Sequence, residues 1–73
     1  MEENYTEEEV QRHITACFHS YDICEELGAL DSMDEEQQGS YDRNQEHIQI
    51  MLGKDWFRDG LTEEQETQLE NYL

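Results

Sequence analysis

The sequence predicts an all-α protein: an antiparallel helical hairpin that is closed by a short C-terminal helix. Apolar residues recur at spacings of three and four along most of the chain, which is the period of one helix face. Three segments begin with residue pairs that are typical of helix starts. No segment alternates apolar and polar residues, so no strand is predicted.

Residues 1–73 are predicted to form one small helical domain, because a chain of this length holds a single core. The chain carries 20 Asp and Glu residues against 4 Lys and Arg residues, and its net charge is −16. Low apolar content combined with such a charge is also typical of disordered chains. The helical spacing of the apolar residues is what favours a folded domain.

The first helix is predicted to follow Tyr5 and to end at Gly28. Thr6 and Glu9 match a capping box, in which each side chain bonds the backbone N–H of the other residue. Gly28 is a typical residue at a helix end. The apolar face of this helix supplies most of the predicted core: Val10, Ile14, Cys17, Phe18, Tyr21, Cys24 and Leu27.

The second helix is predicted to begin at Asp31 or Ser32, because Ser32 and Glu35 match another capping box. Gly39 weakens this helix by about 1 kcal/mol. The part of this helix after Gly39 has the stronger helical pattern and is predicted to extend as far as Arg58. Its predicted core residues are Ile48, Met51, Leu52 and Trp56.

The third, C-terminal helix is predicted to follow a turn at Asp59 and Gly60. Thr62 and Gln65 match a third capping box at its start. Leu69 is its predicted core residue.

Cys17 and Cys24 are seven residues apart in the first helix. That separation is about 10.5 Å along a helix axis, whereas a disulfide needs Cα atoms within about 7 Å. Free thiols favour a reducing compartment. The sequence also lacks a signal peptide and an apolar run of membrane-spanning length, so we predict a cytoplasmic protein with no membrane contact.

Residues 55–66 resemble an EF-hand loop, which makes a calcium-binding helix-loop-helix one alternative. Four residues match the first, fifth, sixth and twelfth positions of that loop: Asp55, Asp59, Gly60 and Glu66. The third position, which supplies an oxygen ligand, is occupied by Phe57. A turn followed by a cap at Thr62 explains the same residues, and we favour that interpretation.

Neither a metal site, a cofactor nor a catalytic centre is predicted elsewhere. The candidate ligands of a zinc site are His13, Cys17, Cys24 and His47. They include no closely spaced pair such as C-x-x-C, which zinc sites usually contain. Cysteines in the core explain the same pattern. His19, Ser20 and Asp22 are too close along one helix to converge as a catalytic triad. We therefore predict that the protein is not an enzyme.

The acidic residues carry the main functional signal. Between Arg12 and Arg43 the chain has eight Asp and Glu residues and no Lys or Arg. Acids four apart on a helix repel each other by roughly 0.2 to 0.5 kcal/mol, and a basic partner would relieve that repulsion. The predicted partner-binding residues are Asp22, Glu25, Glu26, Asp31, Asp34, Glu35 and Glu36, with Trp56 and Phe57 as candidate aromatic anchors. Burial of both aromatic side chains in the core is the alternative.

The predicted partner is a basic protein surface, since nucleic acid and anionic lipid are repelled by this charge. Carboxylates one helical turn apart resemble successive phosphates of a strand, so a nucleic-acid-binding protein is one candidate partner. A charged coat that only keeps the protein soluble stays an open alternative. The small core also leaves a homo-oligomer open.

Two stretches, RHITAC at 12–17 and NQEHIQIMLGKDWF at 44–57 followed by LTEEQET at 61–67, resemble short acidic proteins of tailed phages that infect marine cyanobacteria. The resemblance covers about half of the chain and contains no catalytic motif. It implies a phage effector that binds and inhibits a basic host protein in the host cytoplasm, with DNA mimicry as one form of inhibition. The alternative that it implies is a small structural component of the virion.

Overall fold

A computed structural model describes residues 5–73, which are all-α, as predicted. The described residues form four helices: α1 (Glu7–Gly28), α2 (Glu35–Leu52), α3 (Asp55–Asp59) and α4 (Glu63–Glu70). α1 packs mainly against α2. Ser20 contacts His47 and Cys24 contacts Tyr41, so residues further along α1 meet residues earlier in α2. The two long helices therefore form the predicted antiparallel hairpin.

The start of α1 is capped by Thr6, as predicted, although the capping box is only half formed. The Thr6 hydroxyl oxygen accepts the backbone N–H of Glu9 at 3.1 Å. The Glu9 carboxylate accepts the Thr6 hydroxyl at 3.2 Å instead of bonding the Thr6 backbone N–H. α1 ends at Gly28, and Cys17 and Cys24 are free and buried on its inner face.

The start of α2 differs from the prediction, because the N-cap is Asp34 rather than Asp31 or Ser32. The Asp34 carboxylate accepts the Gln37 backbone N–H at 2.8 Å, and the Gln37 side chain accepts the Asp34 N–H at 3.0 Å. This is a complete capping box two residues after the predicted one. The residues before it form the turn that reverses the chain, so they are not free to begin the helix.

The end of α2 also differs from the prediction, since the helix stops at Leu52 and does not continue to Arg58. Gly53 closes it, and Lys54 has an extended backbone with φ −103° and ψ 119°. The Arg58 side chain then reaches back from α3 and donates to the Leu52 carbonyl at 2.6 Å. The same guanidinium pairs with Glu66 of α4 at 3.1 Å. Arg58 thus ties three helices together.

α4 begins with the predicted capping box, in which Thr62 and Gln65 bond each other's backbone N–H groups. The side chains of Gln45 and Gln49 donate to the Tyr72 carbonyl at 3.3 Å and 2.8 Å. These bonds hold the C-terminal segment against α2.

The core contains eight buried side chains: Ile14, Cys17, Cys24, Ile48, Met51, Leu52, Phe57 and Leu69. All of these except Phe57 belong to the predicted core. Four further predicted residues are partly buried at its edge: Val10, Phe18, Tyr21 and Trp56. The prediction was wrong for Leu27, which is half-buried outside the core cluster. Phe57 occupies the interior in place of Trp56 and is 0% exposed.

Gly60 allows the turn before α4 to approach α1 closely. A Cβ at this position would lie 2.5 Å from Cγ1 of Val10 and 3.4 Å from Cδ1 of Ile14. Gly60→Ala is therefore expected to destabilise the fold by about 1–2 kcal/mol through overpacking. Gly39→Ala is the matched control, because a Cβ there meets only the flexible end of Arg43 at 3.4 Å.

Urea unfolding measures both effects. Gly39→Ala is expected to stabilise α2 by about 0.5–1 kcal/mol, because alanine loses less backbone entropy in a helix interior. A Gly60→Ala protein as stable as the unsubstituted chain would contradict the close approach of this turn to α1.

Candidate functional site

An open groove lies between the second half of α1 and the first half of α2. We call it the acidic groove and define it by its lining residues: Ile23, Glu26, Leu27, Asp34, Glu36, Gln37 and Ser40. On α1, the residues at 23, 26 and 27 share one helix face, because side chains three and four apart are neighbours. Ile23 and Leu27 are half-buried, whereas the three acids are exposed. The groove therefore has apolar residues inside and carboxylates at its rim.

The three rim acids come from both sides of the groove. Glu26 belongs to α1, while Asp34 and Glu36 belong to the start of α2. The Asp34 capping box fixes the backbone at that start, so the position of both α2 acids is set by the hairpin. The spacing between the two rims thus depends on the packing of α1 on α2.

The groove acids have no cationic partner within residues 5–73. The ion pairs of the described residues join Arg12 to Glu8, and Arg58 to Glu66 and Glu70. The other two cationic side chains, Arg43 and Lys54, form no ion pair there. With a net charge of −16, the chain surrounds the groove with a negative potential that attracts cations.

The remaining predicted acids lie around the groove rather than in it. Asp22, Glu25, Asp31 and Glu35 are all exposed. Glu25 stands beside Tyr72, where burial and then the negative charge of Glu25 raise the pKa of that phenol. Glu25 therefore lies beside Tyr72 near the end of the chain and does not line the groove.

The two predicted aromatic anchors are not part of the groove. Phe57 is fully buried and offers no surface to a partner. Trp56 is half-buried and stacks on Tyr5, with 4.1 Å between ring centroids, beside His13 at 5.1 Å. His13 lies ten residues before Ile23 on α1, which is about 15 Å along the axis. The structure thus separates the aromatic cluster from the acidic groove.

Residues 55–66 adopt the conformation of a turn and a cap. The first five form α3, with Phe57 in the core, and Thr62 caps α4. The carboxylate of Glu66, which an EF-hand would turn toward calcium, pairs with Arg58. In the part of the chain that the structure describes, no three His, Cys, Asp or Glu side chains are grouped so that they could hold a metal ion.

A buried hydrogen bond between Ser20 and His47 was missed by the sequence analysis. Ser20 Oγ lies 2.8 Å from His47 Nδ1, and Ser20 is only 5% exposed. Ser20 is three residues after Cys17 and four before Cys24, so its place on the inner face was visible in the sequence. Its partner was not, because His47 belongs to the other helix. The bond satisfies a hydroxyl that would cost about 1–3 kcal/mol if buried alone.

Comparison with protein families, with curated proteins and with solved structures finds no match for this chain. Among residues 5–73, every helix is too short or too polar to cross a bilayer. The fold and the groove together define the class: a small all-α protein whose helical hairpin carries an exposed acidic groove.

Proposed function

We propose that the protein is a non-catalytic interaction module that binds a basic surface of another protein. The observation that carries the proposal is the grouping of Glu26, Asp34 and Glu36 around one groove without a cationic partner among the described residues. Carboxylates in a negative field attract Lys and Arg side chains and speed their approach. A partner that neutralises these acids also removes their mutual repulsion.

The finer form of the proposal follows from the resemblance to phage proteins. An effector of this kind would inhibit a basic host protein by covering the surface with which that protein holds nucleic acid. Asp22 and Glu26 are exposed and one helical turn apart, a spacing that supports imitation of a phosphate backbone. Inhibition would then be competitive with DNA or RNA and would weaken as salt screens the charges.

The proposal is tested by affinity capture from the cyanobacterial host, followed by binding measurements on the captured protein. The groove variant combines Glu26→Gln, Asp34→Asn and Glu36→Gln, and asparagine keeps the cap of α2. Losing three contacts of about 0.5 kcal/mol each is expected to weaken binding about tenfold. Binding of the unsubstituted chain should also fall with added salt.

A matched control removes three exposed acids elsewhere: Glu7→Gln, Glu46→Gln and Glu63→Gln. It changes the net charge by the same amount and is expected to change binding by less than about threefold, since distant charges are screened. Equal losses in the two variants would mean that net charge, and not the groove, attracts the partner. A captured partner without a basic surface would contradict the proposal.

A structural component of the virion is the second candidate, and two exposed apolar residues favour it. Ile50 is 53% exposed and Leu73 is 64% exposed, and assembly with other subunits would cover them. Mass spectrometry of purified particles separates the candidates. A virion component is present in the particles at a fixed ratio to the other virion proteins, whereas an effector is absent from them.

A further inference from the structure

The acidic groove contains an apolar strip that charge attraction alone does not need. Ile23 and Leu27 are one helical turn apart on α1, and both are half-buried in the groove. Leu30 lies in the turn beyond the end of α1, where it is 46% exposed and does not line the groove. The apolar strip, Ile23 and Leu27, extends about 6 Å along the helix axis. Neither residue of the strip belongs to the core cluster.

The polar side chains of the groove are already engaged within the chain. The Gln37 side chain accepts the Asp34 N–H at 3.0 Å, and the Ser40 hydroxyl accepts the Asn44 side chain at 3.3 Å. What the groove offers to a partner is therefore the apolar strip and the carboxylates on either side of it, although Asp34 already uses Oδ1 to accept the Gln37 backbone N–H.

We propose that the acidic groove binds a short basic amphipathic segment of a partner protein, with one or two apolar side chains on Ile23 and Leu27. Lys or Arg side chains of that segment pair with Glu26 on one rim and with Asp34 and Glu36 on the other. The charge pattern selects this occupant, because an anionic or uncharged segment would leave acids on both rims without cations. This inference rests on the proposed function and names the kind of partner that the groove takes.

The apolar strip distinguishes this mode of binding from simple charge neutralisation. Amphipathic helices dock through apolar side chains at spacings of three and four, which match the spacing of the groove residues. Specificity then depends on both features, since a basic segment without an apolar anchor leaves Ile23 and Leu27 facing water. An apolar segment without bases would bring no cation to the rim acids.

The test uses the full chain and two synthetic basic helical peptides of equal length and charge. One peptide carries two leucines four residues apart, and the other carries serines at the same positions. Calorimetry at low and moderate salt measures both affinities. We expect the leucine peptide to bind about tenfold more tightly or better, because its leucines are removed from water when they pack against the apolar strip.

Variants of the chain locate the peptide. Leu27→Gln is expected to remove most of the preference for the leucine peptide, and Ile23→Thr provides a second variant should Leu27→Gln fail to fold. Ile50→Gln is the matched control, because Ile50 is exposed on α2 and does not line the groove. Amide NMR shifts on peptide addition are expected to be largest at residues 23–27 and 34–40.

The outcomes separate this inference from the proposed function. Equal binding of the two peptides, or a leucine preference that survives both groove variants, overturns the docking of an apolar anchor while charge-driven binding stands. No binding of either peptide at low salt overturns the inference and the proposed function together. A leucine preference that Leu27→Gln or Ile23→Thr abolishes and Ile50→Gln leaves intact supports the inference.

Discussion

Replacing Phe57 with alanine is expected to destabilise the domain by about 3–5 kcal/mol, the range for deleting a buried aromatic side chain. Phe57 is 0% exposed and is the largest of the fully buried side chains in residues 5–73. It is carried by α3, a helix of only five residues. A helix this short is not stable alone in water, so its position depends on the packing of this ring. Small domains have only a few kcal/mol of stability, so Phe57→Ala should be largely unfolded at 25 °C.

Urea unfolding followed by circular dichroism measures the loss, with Phe18→Ala as the matched control. Phe18 is the other phenylalanine and is only partly buried at the edge of the core. Its removal leaves a site that solvent can fill, so we expect about half the cost or less. If Phe18→Ala were as damaging as Phe57→Ala, Phe57 would not hold the central position that the structure gives it.

Raising the pH from 9 to 11 is expected to remove roughly 2 kcal/mol of stability through Cys17 alone. Burial raises the pKa of the Cys17 thiol from 9.0 to about 11. The folded chain holds this proton more tightly than the unfolded chain does. The stability that the protonated Cys17 thiol contributes is therefore complete below pH 9 and is lost as the pH rises through the pKa of the folded state. Burial raises the pKa of Cys24 as well, which acts in the same direction.

Urea unfolding at several pH values under reducing conditions tests this dependence. Cys17→Ala is expected to be less stable at neutral pH, because it leaves a small cavity, but to lose less stability between pH 9 and 11. Tyr72→Phe is a second comparison, since burial raises the pKa of that phenol too. A Cys17→Ala protein with the same pH dependence as the unsubstituted chain would show that thiol ionisation is not the cause.

The sequence was sufficient to predict the elements whose signals are local. Thr6 and Thr62 cap helices because each acts on a residue three positions later. The pair of long helices follows from the spacing of apolar residues, which needs no information from elsewhere in the chain. The start of α2 was harder, because the predicted caps, Asp31 and Ser32, lie in the turn and the helix begins only after Asp34.

The position of Phe57 depends on an interruption of the helix after Leu52, which the spacing of apolar residues did not indicate. Leu52 and Trp56 are four residues apart, so an uninterrupted helix would place both on one face. The extended backbone of Lys54 interrupts the helix and turns Phe57 inward instead. Trp56 then packs on Tyr5, a contact across most of the chain that no local pattern specifies.

The acidic groove could be predicted only in part. The excess of acids on α1 and at the start of α2 is visible in the sequence, and Glu26, Asp34 and Glu36 were among the predicted partner-binding residues. The apolar strip was not predicted, because Leu27 has the spacing of a core residue. Leu27 lies near the end of α1 that leads into the turn, and there the two helices leave a groove between them.

Far-UV circular dichroism of the chain at neutral pH and moderate salt tests the central claim most directly, namely that a folded hairpin holds the acids of the groove in place. The described residues are 77% helical, so we predict a strongly helical spectrum that is lost in one cooperative transition on heating. A spectrum of an unordered chain under these conditions would contradict the account, since nothing would then hold the two rims of the groove together.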